Sequence, residues 1–427
     1  MKKLTLILLS LVMIFSMVAA CGGDTTDGDS APAASGEPVH LTIYHHMGEQ
    51  AKRDGVQAWA DAVTAANPHY TFEINVIADA NQYRQIIRTR IAAGDPVDIM
   101  FGAVRDYLDL VEAGHVANIT DAPFIANFDE DVIEGSVVNG NIYGIPVDMG
   151  LLMVFYNRDI FEEHNLSVPT TYAEFLEICQ ILIDNGVNPL ALGFGDAWTA
   201  GVDFMIEWYM MLEKDPYMFR DVMDGNARFA DYPMFRRGVE RSRERFVMAQ
   251  GNPFGSSNDD SIQMFASERA AMLPNGTWSV STVRDLNPDG NFGLFMLPAD
   301  NAADTRARLF TDTCFMISSA LTEAELSAAY AFFNFALSPE GANIWSELTG
   351  LIPATRGVTL TNPDPMTADA MAVKESGLTV FADTAIQPTG QRFDILFNFS
   401  ADFLADMNRS IDDWIAAFDA EFAAAGN

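Results

Sequence analysis

Positive charge is scarce in this sequence. Its 427 residues include 25 Lys and Arg against 59 Asp and Glu, which gives a formal net charge of −34 at pH 7. Binding to nucleic acid requires many Lys and Arg contacts with phosphates, and anionic lipid surfaces attract basic segments. The composition therefore argues against nucleic acid and anionic membrane surfaces as partners. It favours a neutral or weakly charged ligand.

Cysteine and histidine are also rare, with 3 and 6 residues. No CxxC motif and no pair of histidines at metal-ligand spacing occurs, so we expect no metal site and no cofactor. Cys179 and Cys314 lie far apart, each within an apolar stretch. The sequence leaves open whether they form a disulfide or stay as two buried thiols.

The signatures of common enzyme classes are missing as well. The sequence has no GxSxG, HExxH or phosphate-binding loop motif. Acidic residues are so abundant that any two could be chosen as the carboxylate pair of a glycosidase, so their presence alone does not indicate hydrolysis. We therefore expect a protein that is not an enzyme.

The N-terminus has the features of an export signal. Lys2 and Lys3 precede an apolar run over 4–18, which is too short for a comfortable membrane span. The run ends in Val-Ala-Ala-Cys at 18–21, which resembles the bacterial lipobox, whose cysteine is lipidated and becomes the new N-terminus. The alternative is an ordinary signal peptide with an incidental cysteine.

We interpret 1–20 as a lipoprotein signal peptide and Cys21 as the lipidation site. Residues 21–37 are mostly small or acidic, so we expect a flexible linker there. The sequence thus predicts an extracytoplasmic protein anchored by lipid to the bacterial cell membrane.

From residue 39 onward, strand and helix patterns alternate. Residues 39–44 have period-two hydrophobicity, and the next segment places Val56, Trp59 and Val63 at helical spacing. Similar alternation resumes after 141, and near the C-terminus we predict a helix over 403–422. This order predicts an α/β fold with two lobes, each a mostly parallel sheet flanked by helices.

Several short stretches carry a family resemblance. They are LTIYHH at 41–46, IAAGDPVDI at 91–99, NIYGIP at 141–146, FYNRDIF at 155–161, PTTYAEF at 169–175, and FASERAAM at 265–272 followed by NGTW at 275–278. In this order they resemble bacterial extracellular solute-binding proteins of family 1, the carbohydrate-binding lipoproteins of ABC importers. The residues that follow the first strand, 45–49, depart from any obvious consensus, which leaves the ligand open.

The resemblance implies a two-lobed periplasmic-binding-protein fold of type II, with a ligand cleft between the lobes. By analogy, 38–146 and 313–352 form the N-terminal lobe, and 147–312 and 353–427 form the C-terminal lobe. The hinge is expected near 146–150, 310–313 and 353. The resemblance also implies that the protein captures a mono- or oligosaccharide by hinge closure, delivers it to the ABC permease, and acts as a monomer.

A sugar presents apolar C–H faces, which aromatic rings cover, and hydroxyl groups that both donate and accept hydrogen bonds. Trp278 matches the ring-stacking tryptophan of the resembled family, although core packing is the alternative. Trp198 follows a strand in a similar loop, where open α/β sheets place ligands. We expect the tryptophans at 59, 208, 345 and 414 to pack in the core.

The other predicted ligand-binding residues are polar side chains that follow strands, lie at the crossings, or reach in from the C-terminal segment. They are Asp196, His46, Glu49, Arg105, Asp106, Asp148, Asp312 and Arg392, the last beside Gln391. For Asp106, a helix cap is an equal alternative.

Two other functions stay open at this point. A lipid-anchored glycoside hydrolase would need two carboxylates on either side of the scissile bond. The same fold could also bind a polyamine, a peptide or a metal chelate, and a strongly acidic cleft would suit a cation.

Overall fold

The computed structural model describes residues 36–249, 251–381 and 390–425. The predicted signal peptide, the lipidation site Cys21 and nearly all of the predicted linker lie outside the described residues. The described residues from 37 onward form one compact unit.

The α-helices, in chain order, are α1 Gln50–Ala66, α2 Ala80–Ala92, α3 Leu108–Glu112, α4 Glu130–Glu134, α5 Arg158–Glu163, α6 Tyr172–Asp184, α7 Ala197–Lys214, α8 Met218–Met223, α9 Pro233–Met248, α10 Asn258–Ala266, α11 Val280–Leu286, α12 Glu323–Ala336, α13 Pro339–Thr349, α14 Pro365–Glu375, α15 Gly390–Ala405 and α16 Ile411–Ala424. The strands are β1 Val39–His45, β2 Tyr70–Val76, β3 Ile99–Phe101, β4 Val137–Val138, β5 Asn141–Ile142, β6 Ile145–Pro146, β7 Asp148–Asn157, β8 Asn188–Leu190, β9 Ala270–Gly276, β10 Phe292–Phe295, β11 Ala307–Thr311, β12 Cys314–Ile317, β13 Ile352–Pro353 and β14 Thr379–Phe381.

The first sheet has the strand order β2-β1-β3-β12-β6. β1 runs parallel to β2 and β3, whereas β12 runs antiparallel to β3 and β6. The alternation along β1 buries Leu41 and Ile43 completely. Helices α1, α12 and α13 pack beside this sheet, where Trp59 stacks on Trp345 with ring centroids 4.5 Å apart. The first lobe is built around this sheet.

The second sheet has the order β14-β11-β7-β9-β8, and β10 and β13 also pair with β7. The long apolar strand β7 runs antiparallel to all four of its partners. Parallel pairing is confined to β8 with β9 and β11 with β14. The prediction of mostly parallel sheets is therefore wrong for the second lobe. β7 leaves the junction with the first sheet and β11 returns to it, so these neighbours must run in opposite directions.

The chain passes between the two sheets at three points. It goes from β6 to β7 at 146–148, from β11 to β12 at 311–314, and from α13, which packs on α1, to β13 at 349–352. The three passages lie side by side, because β6 pairs with β12 while β7 pairs with both β11 and β13. The lobe boundaries predicted from the sequence remain a proposal.

The C-terminal segment differs from the predicted helix over 403–422. The structure has two helices there, because α15 ends at Ala405 and α16 begins at Ile411. Between them the Arg409 N–H donates to the Asp406 carbonyl, and the Ser410 side chain accepts from the Asp413 N–H as an N-cap. Polar turn formers in this stretch outweigh the helical spacing of the apolar residues on either side.

Two cysteines and four tryptophans lie in the interior of the protein. Cys179 and Cys314 are both buried, and Cys179 is a free thiol. The four tryptophans predicted as core residues are at most 3% exposed, namely Trp59, Trp208, Trp345 and Trp414. This confirms their assignment to packing.

A buried ion network joins α7 to α9 in the core of the second lobe. The fully buried Arg245 guanidinium contacts Asp203 at 2.8 Å and Glu207 at 2.6 Å. Arg241 also pairs with Glu207 at 3.1 Å, and its guanidinium carbon lies 3.8 Å from the Tyr172 ring centroid. Removing one partner from such a network leaves a buried charge without compensation, which costs more than the pair itself contributes.

We expect Arg245→Met to lower the free energy of unfolding by about 3–5 kcal/mol, because Asp203 then loses its cationic partner in a buried site. Urea denaturation followed by circular dichroism measures this change. Arg236→Met on the same helix is the control, since Arg236 pairs with Glu240 and Asp412 at the surface and such pairs contribute about 0–1 kcal/mol each. Equal losses of unfolding free energy in the two variants would show that the buried network stabilises the protein no more than a surface ion pair does.

Candidate functional site

The two sheets present chain ends to the same junction. Parallel strands β1 and β3 end at His45 and Phe101, beside the start of β12 at Cys314. On the other side, β9 ends at Gly276 opposite Leu152, near the start of β7. Ligands of open α/β sheets bind outside the carboxyl ends of the strands. This junction is the candidate site.

On the second lobe, the site has a wall of aromatic rings. Trp278 lies in a 3-10 turn, Thr277–Ser279, directly after β9. Its ring centroid is 6.2 Å from that of Trp198, at the start of α7, and 5.8 Å from that of Phe310 on β11. Trp278 is half-buried and Trp198 is 37% exposed. The structure therefore brings together the two tryptophans chosen from the sequence, and adds Phe310, which sequence reasoning missed.

The conformation of Trp278 depends on its neighbours. A Cβ atom at Gly276 would overlap the Trp278 ring, so the indole folds back over a residue that must lack a side chain. The Thr277 hydroxyl accepts a hydrogen bond of 3.0 Å from the Leu151 N–H, which ties the turn to β7. These contacts hold the ring in place.

Asp196 braces the loop that carries Trp198. Its carboxylate accepts a hydrogen bond of 2.7 Å from the Asn258 N–H at the start of α10. The Asn258 side chain in turn accepts from Asn275 on β9. Asp196 thus lies next to the aromatic wall, while its role in ligand contact stays a prediction.

On the first lobe, His46 follows β1 and lies against the rings of Tyr83 and Phe101, with centroids 5.0 and 4.9 Å away. It is half-buried, and burial together with the Arg84 charge lowers the pKa of its imidazole. A neutral imidazole offers one donor and one acceptor, which suits a hydroxyl group.

The adjacent His45 faces the interior. It is fully buried, and neither ring nitrogen has a hydrogen-bond partner among the described residues. Burial lowers the pKa of His45 to about 4, and the nearby Arg53 charge acts in the same direction.

Glu49 and Asp312 meet at a lysine that the sequence reading overlooked. Lys52, on α1, lies 2.6 Å from the Asp312 carboxylate and 3.4 Å from that of Glu49. Burial opposes the charge on Lys52, but Asp312 and Glu49 outweigh it and raise its pKa. Lys52 is buried on the same side of α1 as Val56 and Trp59. A lysine within this apolar stripe is the feature of the sequence that could have indicated a buried ion pair.

Asp148 departs from its predicted role. It is fully buried, and its two oxygens accept hydrogen bonds from the Thr313 N–H at 2.8 Å and the Trp345 indole N–H at 2.6 Å. Asp148 therefore joins two passages between the lobes and the helix that leads to the third. This corrects the expectation that it contacts ligand.

Arg392 is also placed differently from the prediction. It donates to the Met223 carbonyl at 3.1 Å, and its guanidinium carbon lies 5.3 Å from the Phe422 ring centroid. These contacts hold α15 against α8 and α16, so we correct its assignment from ligand binding to packing. The neighbouring Gln391 is exposed.

Arg105 and Asp106 are exposed on a 3-10 turn, Val104–Tyr107, that follows β3. The Arg105 Nε atom lies 4.0 Å from the Asp106 carboxylate. Tyr107, not Asp106, is the N-cap of α3, which removes the helix-cap alternative. Both residues lie at the junction edge of the first sheet, and their ligand role stays a prediction.

Comparison with known proteins identifies the family. The sequence profile described as bacterial extracellular solute-binding protein matches residues 58–373, well over half of the chain. The chain belongs to this family.

Relatives of this solute-binding protein include the multiple sugar-binding protein of Streptococcus mutans, 22% identical over 303 residues, which are 68% of this chain and 70% of the relative. Among solved structures, a chitin oligosaccharide binding protein superposes with a TM-score of 0.76 at 21% identity, covering 92% of this chain and all of the other. The binding protein RafE in complex with raffinose gives 0.73 at 18% identity, covering 91% of this chain and all of the other. These structures share the two-lobed fold.

None of the helices in the described ranges is both long and apolar enough to cross a membrane. The same part of the chain contains no group of three or more His, Cys, Asp or Glu arranged to hold a metal ion.

The buried Asp148 makes the stability of the solute-binding protein depend on pH. Burial and the Asp312 charge raise the pKa of this carboxyl to about 7 in the folded protein, against about 3.8 without these effects. A raised pKa means that folding favours the protonated carboxyl, so protonation of Asp148 stabilises the folded protein. This stabilisation is complete below about pH 4 and is lost as the pH rises toward 7.

We expect the wild type to lose stability relative to Asp148→Asn as the pH rises from 4 to 7. The unfolding free energy of the wild type minus that of the variant should fall by at most about 1.4 kcal/mol per pH unit. Denaturant titrations at five pH values measure it. Asp61→Asn, an exposed carboxyl on α1, is the control and should follow the wild-type profile. A constant difference for Asp148→Asn would contradict the assignment.

Proposed function

We propose that this solute-binding protein is the extracytoplasmic component of an ABC importer, and that it captures a mono- or oligosaccharide between its lobes and delivers it to the permease. The observation that carries the proposal is the partly exposed pair formed by Trp198 and Trp278 at the junction of the two sheets. Paired indoles with accessible faces suit the apolar C–H faces of sugar rings.

The polar chemistry of the junction supports the same ligand class. The neutral imidazole of His46 provides a donor and an acceptor on the opposite lobe from the tryptophans. The names of the similar proteins point in the same direction, because they describe binding of multiple sugars, chitin oligosaccharide and raffinose.

Capture is proposed to act through hinge motion. The lobes are joined by three neighbouring passages, so rotation about this narrow connection changes the distance between His46 and the tryptophan pair. A ligand that contacts both walls binds the closed form more tightly and shifts the population toward it. The permease then recognises the closed form.

The arrangement of the acids favours binding over hydrolysis. A glycosidase needs one protonated carboxyl and one free carboxylate on either side of the scissile bond. Three of the junction acids are instead engaged within the protein, Glu49 and Asp312 by Lys52, and Asp148 by Thr313 and Trp345. Incubation with oligosaccharides should give stoichiometric binding and no sustained release of products.

We expect Trp278→Ala to weaken sugar binding by about 1–3 kcal/mol, because the variant removes a stacking face. The ligand is the best binder from a thermal-shift panel of raffinose, chitin oligosaccharides, maltodextrins and galactose, since a ligand of the native state raises the melting temperature. Isothermal titration calorimetry measures the affinity.

The matched control for this experiment is Trp208→Ala. Trp208 is fully buried in the core of the second lobe, so its truncation should lower stability by about 3–5 kcal/mol while the folded protein keeps its affinity. Normal binding by Trp278→Ala, combined with a much lower melting temperature, would assign Trp278 to the core and remove it from the site.

We also propose that Cys21 carries a lipid anchor and that the protein acts as a monomer. Cys21→Ser should move the protein from the membrane fraction to the soluble fraction, because the anchor needs the thiol. Cys179→Ser is the control, since this free buried thiol should not affect membrane retention. Retention of the Cys21→Ser protein in membranes would contradict the anchor.

A further inference from the structure

Most of the basic residues of the first lobe lie near one edge of its sheet. Between 38 and 146 the Lys and Arg residues are Lys52, Arg53, Arg84, Arg88, Arg90 and Arg105, and 313–352 contains none. All of them lie on α1, α2 or the 3-10 turn at 104–107, the segments that follow β1, β2 and β3. Lys52, Arg53, Arg84 and Arg105 lie within the first five residues of these segments, near the carboxyl ends of the strands that border the candidate site.

Two of these arginines have no carboxylate partner. Arg53 donates to the carbonyls of Met47 and Gly48 and to the Gln50 side chain, and Arg84 donates to the Asn81 side chain. Across the described residues, no Asp or Glu oxygen lies within 4.0 Å of either guanidinium. Arg88, by contrast, pairs with Asp109 at 3.0 Å.

The two unpaired arginines flank the wall formed by His46. Arg84 directly follows Tyr83, whose ring centroid lies 5.0 Å from that of His46. Arg53 donates to the carbonyls of Met47 and Gly48, the two residues that follow His46. Both residues are half-buried. The neighbouring Lys52 is already paired with both Asp312 and Glu49, so it is not available to a ligand anion. Arg53 and Arg84 are therefore the cations at this wall that no described carboxylate pairs.

Guanidinium groups in this position are suited to an anionic group. Arg binds carboxylate or sulfate oxygens through two parallel, charge-assisted hydrogen bonds, which are stronger than bonds between neutral groups. The expectation of a neutral or weakly charged ligand came from the total charge of the chain. That charge acts over long distances and is largely screened beyond about 8 Å at physiological salt, whereas a bound anion contacts the wall directly.

We propose that the captured saccharide carries an anionic group, a uronic acid carboxylate or a sulfate ester, which Arg53 and Arg84 bind on the first lobe while Trp198 and Trp278 stack on its rings. This rests on the proposed function as a sugar-binding protein. It adds the chemical class of the sugar and two specificity-determining residues.

The test compares matched ligands that differ only in the anionic group. One arm uses digalacturonate and the corresponding neutral galactose disaccharide, and the other uses N,N′-diacetylchitobiose with and without a 6-sulfate. Calorimetry in 0.15 M NaCl should give at least about tenfold tighter binding for one of the anionic members, and the arm that responds identifies the anion. This preference should shrink as NaCl is raised to 0.5 M.

Variants assign the preference to residues. Arg53→Gln and Arg84→Gln should each weaken binding of the anionic ligand by about 10- to 100-fold, with binding of its neutral counterpart changed less than about twofold. Arg88→Gln on α2 is the matched control and should leave both affinities unchanged, because its guanidinium is already paired with Asp109. Thermal melts establish that each variant is folded.

The outcomes separate this inference from the proposed function. Equal affinity for neutral and anionic members, or equal loss for both in the arginine variants, overturns the anionic ligand and leaves sugar binding intact. Absence of binding to every member of both arms and to the neutral sugar panel overturns both proposals.

Discussion

The carboxyl group of Asp148 occupies the place where the two lobes are joined. Asp148 is the first residue of β7, at the end of the first passage between the lobes. Its carboxyl group accepts a hydrogen bond from Thr313 on the second passage and another from Trp345 on α13, the helix that leads to the third passage. β13, the end of that third passage, pairs with Asp148 itself. Because Trp345 also stacks on Trp59, the junction is tied directly to the core of the first lobe. Any rotation of the lobes must keep or exchange these contacts.

Much of the fold could be predicted because its signals are local. The alternation of apolar residues along β1 and the spacing of Val56, Trp59 and Val63 on α1 each depend on nearby positions only. The strand-end rule selected both Trp198 and Trp278, and the structure places their ring centroids 6.2 Å apart. Strand direction in the second lobe was not accessible in this way, because it depends on where the chain crosses between lobes.

The candidate site was harder to predict for polar residues than for aromatic ones. An acid after a strand looks the same in the sequence whether it meets solvent, as Asp106 does, or lies fully buried, as Asp148 does. Lys52 was missed because a lysine is expected at the surface, and only its two acidic partners explain its burial. Arg392 turns toward Met223 and Phe422, which are distant in sequence and give no local signal.

The discontinuous first lobe has a consequence for the order in which the protein acquires its structure. Strands β1 and β3 and helix α1 come early in the chain, but the elements that pack against them, β12, α12 and α13, all follow residue 313. Until that late segment is available, the edge of β3 has no neighbour and Trp59 lacks the indole on which it stacks. Contacts between such distant segments form slowly, and apolar surfaces that wait for them are prone to aggregate. Because most of the second lobe interrupts the first, the stacked pair of Trp59 and Trp345 cannot form until a growing chain has reached residue 345.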